Sequence, residues 1–207
     1  MLAQLFLKHV VFQRDVDGFS YVEYLIVFNA IIYGFITSMY LTGWGNMIQN
    51  RKRLTISIEH LAWTIFSFVL FVSNWYGAWH RVEFINVHIG YFFYTLLPIL
   101  LFYFISALLF PSFRTNGEDI DFQVHLDDNR RGIFAVYALY FLLSIVSGLV
   151  YLENDLIDNQ NIIRLLGCLF ACFAMVTKKR GVHIAFLIGG FLMLVVFFAT
   201  LPAVSPK

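Results

Sequence analysis

Three sets of polar side chains recur at the spacing of one helix face inside stretches that are otherwise apolar. His60, Thr64, Ser67 and Asn74 form one set. Asn29, Tyr33, Thr37 and Tyr40 form another, and His88, Tyr91, Thr95, Pro98 and Ser106 fall near one face in a third. Residues three, four and seven apart share a side of an α-helix. Three such stripes facing one another carry enough hydroxyls and amides to line a narrow hydrated path or a small-solute site. The same groups can instead hydrogen-bond across a packed bundle and admit no water, each bond contributing about 0.6–2 kcal/mol. The candidate polar path comprises Asn29, Tyr33, Thr37, His60, Thr64, Ser67, Asn74, Tyr91 and Thr95.

Other chemistries lack their residue patterns. His80, Glu83 and His88 are metal-ligand types without a metal-ligand spacing. The metalloprotease, nucleophile-elbow and phosphate-loop motifs are all missing from the chain. The segment 125–131, with His125, Asp127, Asp128, Arg130 and Arg131, groups acid, base and imidazole. It is expected to cap and anchor a helix; a lipid-modifying site there would require it to converge with Arg51, Lys52 and Arg53. No Asp, Glu, Lys or Arg lies near the middle of an apolar run, where pumps, ion-coupled transporters and voltage sensors place one. Glu23, Glu59, His60, His88, Arg164 and His183 fall at run ends; Glu23 is explained by a capping box, and the rest are expected at the interface. No catalytic residue, metal ligand or cofactor is therefore assigned. Neither the lysine of a retinal Schiff base nor a histidine pair for haem sits at depth.

The elements that must position the stripes follow from composition. Of 207 residues, 60% are hydrophobic, 19% aromatic and only 13% charged, against about 45–50% apolar and about 25% charged in soluble domains. Such a chain cannot clothe a soluble surface, which argues against a soluble enzyme domain and a nucleic-acid binder. The net charge of +1 gives no global attraction for an acidic partner. The fold class is all-α, a polytopic membrane bundle forming a single integral membrane domain over residues 1–207. About 20 apolar residues cross a bilayer core. Six runs qualify: 21–41, 61–79, 89–110, 132–151, 162–177 and 183–201. The run 162–177 is the shortest. It spans if Arg164 snorkels to the interface, and is otherwise re-entrant.

Residues 1–12 have apolar positions at near-helical spacing and lack a signal-peptide cleavage site, which predicts an interfacial helix. Ser20 and Glu23 form a capping-box pattern. Asp127 and Asp128 are assigned to the N-terminal turn of a helix leading into the fourth run. Pro98 is expected to kink the third.

Lys and Arg set the orientation. Nine of them (Arg51, Lys52, Arg53, Arg114, Arg130, Arg131, Lys178, Lys179 and Arg180) fall on one side of a six-span plan, and five on the other. The nine-residue side is read as cytoplasmic, with both termini outside, in a bacterial inner membrane or other plasma membrane. Arg51, Lys52, Arg53, Lys178, Lys179 and Arg180 are candidate contacts for a cytoplasmic protein partner or anionic lipid. Ser144 and Gly148, and Gly167, Ala171 and Ala174, form small-residue faces that permit close helix packing. Cys168 and Cys172 lie beside them as packing residues. The leading functional expectation is a passive pore or small-solute path formed as a homo-oligomer in the lipid bilayer. The alternative is a membrane-embedded sensor or anchoring subunit that engages a cytoplasmic protein, and the third is a membrane enzyme.

Overall fold

Long apolar runs satisfy their backbone hydrogen bonds most readily within a single segment, as helix. The computed structural model, which describes residues 21–79, 89–113, 119–151 and 158–200, has a helix over each of the six runs. They are α1 (Tyr21–Gln49), α2 (Ile58–Trp79), α3 (Ile89–Leu109), α4 (Phe122–Tyr151), α5 (Asn159–Val176) and α6 (Arg180–Thr200). Three are long and apolar enough to cross a membrane, within Glu23–Gln49, Phe122–Val146 and Asn159–Val176. Shorter apolar helical stretches cover Thr95–Leu109 and Arg180–Val196. The expected interfacial helix at 1–12 and the His80, Glu83 and His88 group lie outside the described residues.

α2 is the helix around which the others gather. It packs against α1, α3, α4 and α6. That position explains its polar content: His60, Thr64 and Ser67 are fully buried by protein. α3 packs on α4, α4 on α5, and α5 on α6. Aromatic rings fill the centre. Phe102 stands edge-on to Tyr140 at 4.9 Å and to Phe71 at 5.5 Å. Trp63 meets Phe134 at 4.8 Å. The outer faces carry exposed large side chains instead, including Ile31 and Phe35 on α1, Phe173 and Val176 on α5, and Leu192 and Val195 on α6. A soluble monomer rarely exposes apolar surface on this scale.

One end of the bundle is tied across its loops. After a 3₁₀ turn at Arg51–Arg53, β1 (Leu54–Thr55) pairs in parallel with β2 (Ile120–Asp121), Leu54 opposite Ile120 and Thr55 opposite Asp121. This brings the start of α2 beside the start of α4. α4 begins ten residues ahead of its apolar run, and Asp121 starts it. The Asp121 carboxylate accepts from the amides of Gln123 (2.8 Å) and Val124 (3.2 Å), an N-cap arrangement. Asp127 and Asp128 therefore do not occupy the first turn as expected; they are exposed further along α4. Asp158 caps α5 in the same manner, accepting from the Gln160 amide at 3.3 Å. Pro98 lies buried within a continuous α3.

Candidate functional site

The stripes on α1 and α2 meet through three side-chain hydrogen bonds. Tyr33 Oη donates to Asn74 Oδ1 at 2.8 Å, Tyr40 Oη and Ser67 Oγ lie 2.5 Å apart, and Trp44 Nε1 donates to Thr64 Oγ1 at 3.2 Å. As α1 advances from 33 to 40 to 44, α2 retreats from 74 to 67 to 64. Matched steps of this size are the register of two antiparallel helices, so the bonds form rungs along one seam. At 1.5 Å rise per residue the seam is about 15 Å long. α4 joins at the far rung, where Asn74 Nδ2 donates to Tyr140 Oη at 3.4 Å.

Other members of the proposed path are placed differently. Thr37 donates its hydroxyl to Tyr33 O at 2.8 Å, and Thr64, while accepting from Trp44 in the seam, donates to Leu61 O at 2.8 Å. Asn29 is half-buried, and its Oδ1 has no hydrogen-bond partner among the described residues. Thr95 is half-buried, and the side chain of Tyr91 lies outside the described residues. The α1 and α2 stripes thus come together.

A second polar assembly occupies the end of the bundle carrying the β-pair. Glu59 is 6% exposed. Its Oε2 lies 3.5 Å from Arg180 Nε, and its Oε1 lies 3.6 Å from His183 Nδ1. Gln123 Nε2 donates to Glu59 Oε2 at 3.3 Å, while Gln123 Oε1 accepts from Ser57 Oγ at 2.5 Å and from Arg180 at 2.9 Å. These contacts join the starts of α2, α4 and α6. Glu59, His60 and His183, expected at the interface, are instead enclosed by protein.

The histidines here serve helix ends. His60 donates from Nε2 to Leu109 O (2.7 Å), and His125 donates from Nε2 to Leu108 O (3.0 Å). Both acceptors are last-turn carbonyls of α3, which have no intrahelical donor. At the end of α5, Thr177 O accepts from His183 Nε2 at 3.0 Å and also from Arg130 Nη1. Ser57 Oγ donates to Gln123 rather than to a histidine, so no nucleophile and base are paired there as acyl-transfer chemistry requires. Among the described residues no three His, Cys, Asp or Glu side chains gather as a metal would need.

The small-residue faces lie between α4 and α5. A Cβ on Gly167 would stand 2.7 Å from the Phe141 ring, and one on Gly148 would stand 2.7 Å from Arg164 Nη1. Ala171 and Ala174 are buried, and Ser144 Oγ donates to Tyr140 O at 2.8 Å. Arg164 bonds to its own helix, donating to Asn161 Oδ1 at 2.9 Å and Gln160 Oε1 at 3.4 Å. Arg51, Lys52, Arg53, Lys178, Lys179 and Arg180 are all exposed.

Gln123 and Tyr140 are not among the residues singled out by the sequence, and Trp44 is singled out there only as a marker of the inner interface. Trp44 and Tyr140 do have a signal, a polar tip at the right helical interval from other stripe members. Gln123 has none, because its partners come from the starts of two other helices. No known protein family matches the chain, and neither does any curated protein or solved structure.

Proposed function

We propose that the chain is a six-span integral membrane protein acting as a sensor or anchoring subunit, with its basic end in the cytoplasm as the working surface. One observation carries this reading. The interior polar groups of α1 and α2 are largely engaged with one another in the seam, whereas Arg51, Lys52, Arg53, Lys178 and Lys179 stand exposed with no ion pair among the described residues. A hydrated path needs its lining groups available to solute; a docking face needs charges free to meet a partner. The second arrangement fits these residues better. α2, α3 and α6 complete the six spans by packing on the three longer apolar helices, with polar α2 shielded in the middle.

The pore reading keeps one point in its favour. Asn29 Oδ1 and Trp63 Nε1 are buried without a hydrogen-bond partner among the described residues, and buried polar atoms of this kind are where internal water sits.

Thiol labelling in intact membranes tests both, after Cys168 and Cys172 are replaced by Ala. Single cysteines at Lys52 and Lys179 should react only from the cytoplasmic side, and cysteines at Thr64 and Ser67 should stay unreactive. Helically periodic reaction at Asn29, Thr64, Ser67 and Asn74 would restore the pore. Reporter fusions should place Lys52, Asn116 and Lys179 inside and Arg81 and Asp155 outside; a cytoplasmic signal at Asp155 would overturn the topology.

A further inference from the structure

The outer face of α5 carries an open apolar groove of about 550 Å³, lined by Leu169, Cys172, Phe173, Val176 and Thr177. It is open and shallow, a face along which an extended chain can lie rather than an enclosed cleft. The groove runs along the last two turns of the helix and stops at Thr177, where the character of the surface changes at once. Lys178 and Lys179 follow, both exposed and with no ion pair among the described residues. Arg180 comes next, its charge partly met by Glu59 at 3.5 Å.

An apolar groove whose last lining residue is followed in the chain by two exposed cations matches one kind of occupant, a molecule with a long apolar tail and an anionic head. We propose that this surface binds an anionic phospholipid, its acyl chain along Leu169, Phe173 and Val176 and its phosphate at Lys178 and Lys179. The inference rests on the membrane-embedded reading, because only there does α5 meet acyl chains. The orientation adds to it: the groove ends at the basic, cytoplasmic end, and the cytoplasmic leaflet carries the anionic lipid that attracts exposed lysines. The chain end of α5 is itself fixed from inside, since Arg130 and His183 both hold Thr177 O. The binding surface is therefore a formed one rather than a frayed terminus.

Native mass spectrometry of the full chain, released from detergent after incubation with equal amounts of phosphatidylglycerol and phosphatidylcholine, tests it. The wild type should keep phosphatidylglycerol in clear excess. Lys178→Gln with Lys179→Gln should remove most of that excess, about fivefold for each lysine. Both side chains are exposed, and an unchanged melting temperature confirms the variant is folded. Arg51→Gln with Arg53→Gln should leave the preference intact. Val176→Trp, which fills the groove, should lower retention of both lipids. Equal retention by the wild type overturns the proposal, and so does a preference that survives loss of both lysines. A dimer that excludes lipid and is dissociated by Val176→Trp assigns the groove to a second copy and also overturns it. A separate alkaline wash of membranes reports on the underlying reading: release of the protein would refute membrane embedding itself, whatever its lipid preference.

Discussion

Gly167→Ala adds a single methyl group at a close approach between α4 and α5, and its consequence can be worked from geometry. The new Cβ would lie 2.7 Å from Phe141 Cε1 and Cζ and 3.0 Å from Cδ1, closer than carbon atoms pack. Two effects oppose each other. Replacing Gly by Ala in a helix interior gains about 0.8–1.0 kcal/mol of backbone propensity. Forcing an extra carbon into a packed site costs about 1–3 kcal/mol. The variant should therefore be less stable by about 0–2 kcal/mol. Gly34→Ala supplies the control, because a Cβ there meets nothing within 4 Å, and it should gain the propensity term alone. The two variants should differ by about 1–3 kcal/mol, and at about 2–4 °C per kcal/mol for a chain of this length their melting temperatures in detergent separate by several degrees. Phe141→Ala removes the clashing ring. In that background Gly167→Ala should turn from harmful to neutral or favourable, a coupling of about 0.5–3 kcal/mol in the double-mutant cycle. Equal stability of Gly167→Ala and Gly34→Ala would refute the reasoning. So would a penalty that persists undiminished without the Phe141 ring. Since this face packs within one chain, neither variant should change the oligomeric state.

Asn74→Ala takes away the group joining Tyr33 and Tyr140 and should lower stability by about 0.6–2 kcal/mol in the same melt. Asp121→Ala removes the cap of α4 and should cost about 0.5–2 kcal/mol, with amide exchange rising first at Gln123 and Val124. Glu59→Gln leaves His183 facing a neutral amide and frees Arg180. It should destabilise by less than the about 3–5 kcal/mol that follows breaking a fully buried pair, because Arg180 is 65% exposed and can rehydrate.

The positions of the helices were legible in the sequence because apolar runs of that length have few other ways to satisfy their backbone. The limits were less legible where polar residues continue a helix. The sequence places the first turn of that helix at Asp127 and Asp128, yet α4 already begins at Phe122, since Asp121 caps it and His125 and Arg130 find acceptors on α3 and beyond α5. The α1 stripe and the α2 stripe were visible as periodicity, but their pairing was not. Which residue faces which depends on the relative height of two helices, and neither stripe encodes the path of the loop 50–57 that joins them. The burial of Glu59 and His183 was illegible for a similar reason. A polar residue at the end of an apolar run reads as interfacial, and only the third helix closing over it makes it interior.

That distinction bears directly on function. The basic end of the bundle holds two populations of polar residue that look alike in sequence. Helices end with carbonyls that lack donors, and near a bilayer those carbonyls are costly to leave unpaired. Here His60 and His125 supply donors to the end of α3, and Arg130 and His183 supply them to the segment after α5. These four side chains come from helices other than the ones they cap, so each also fixes the spacing of two elements. One nitrogen of each is committed to such a carbonyl, and replacing these side chains should register as lost stability before it registers as lost binding. Arg51, Lys52, Arg53, Lys178 and Lys179 carry no such duty. Charge at those five positions is available to something outside the chain, and substitutions that leave the fold intact while altering what the protein meets at the membrane surface should concentrate there.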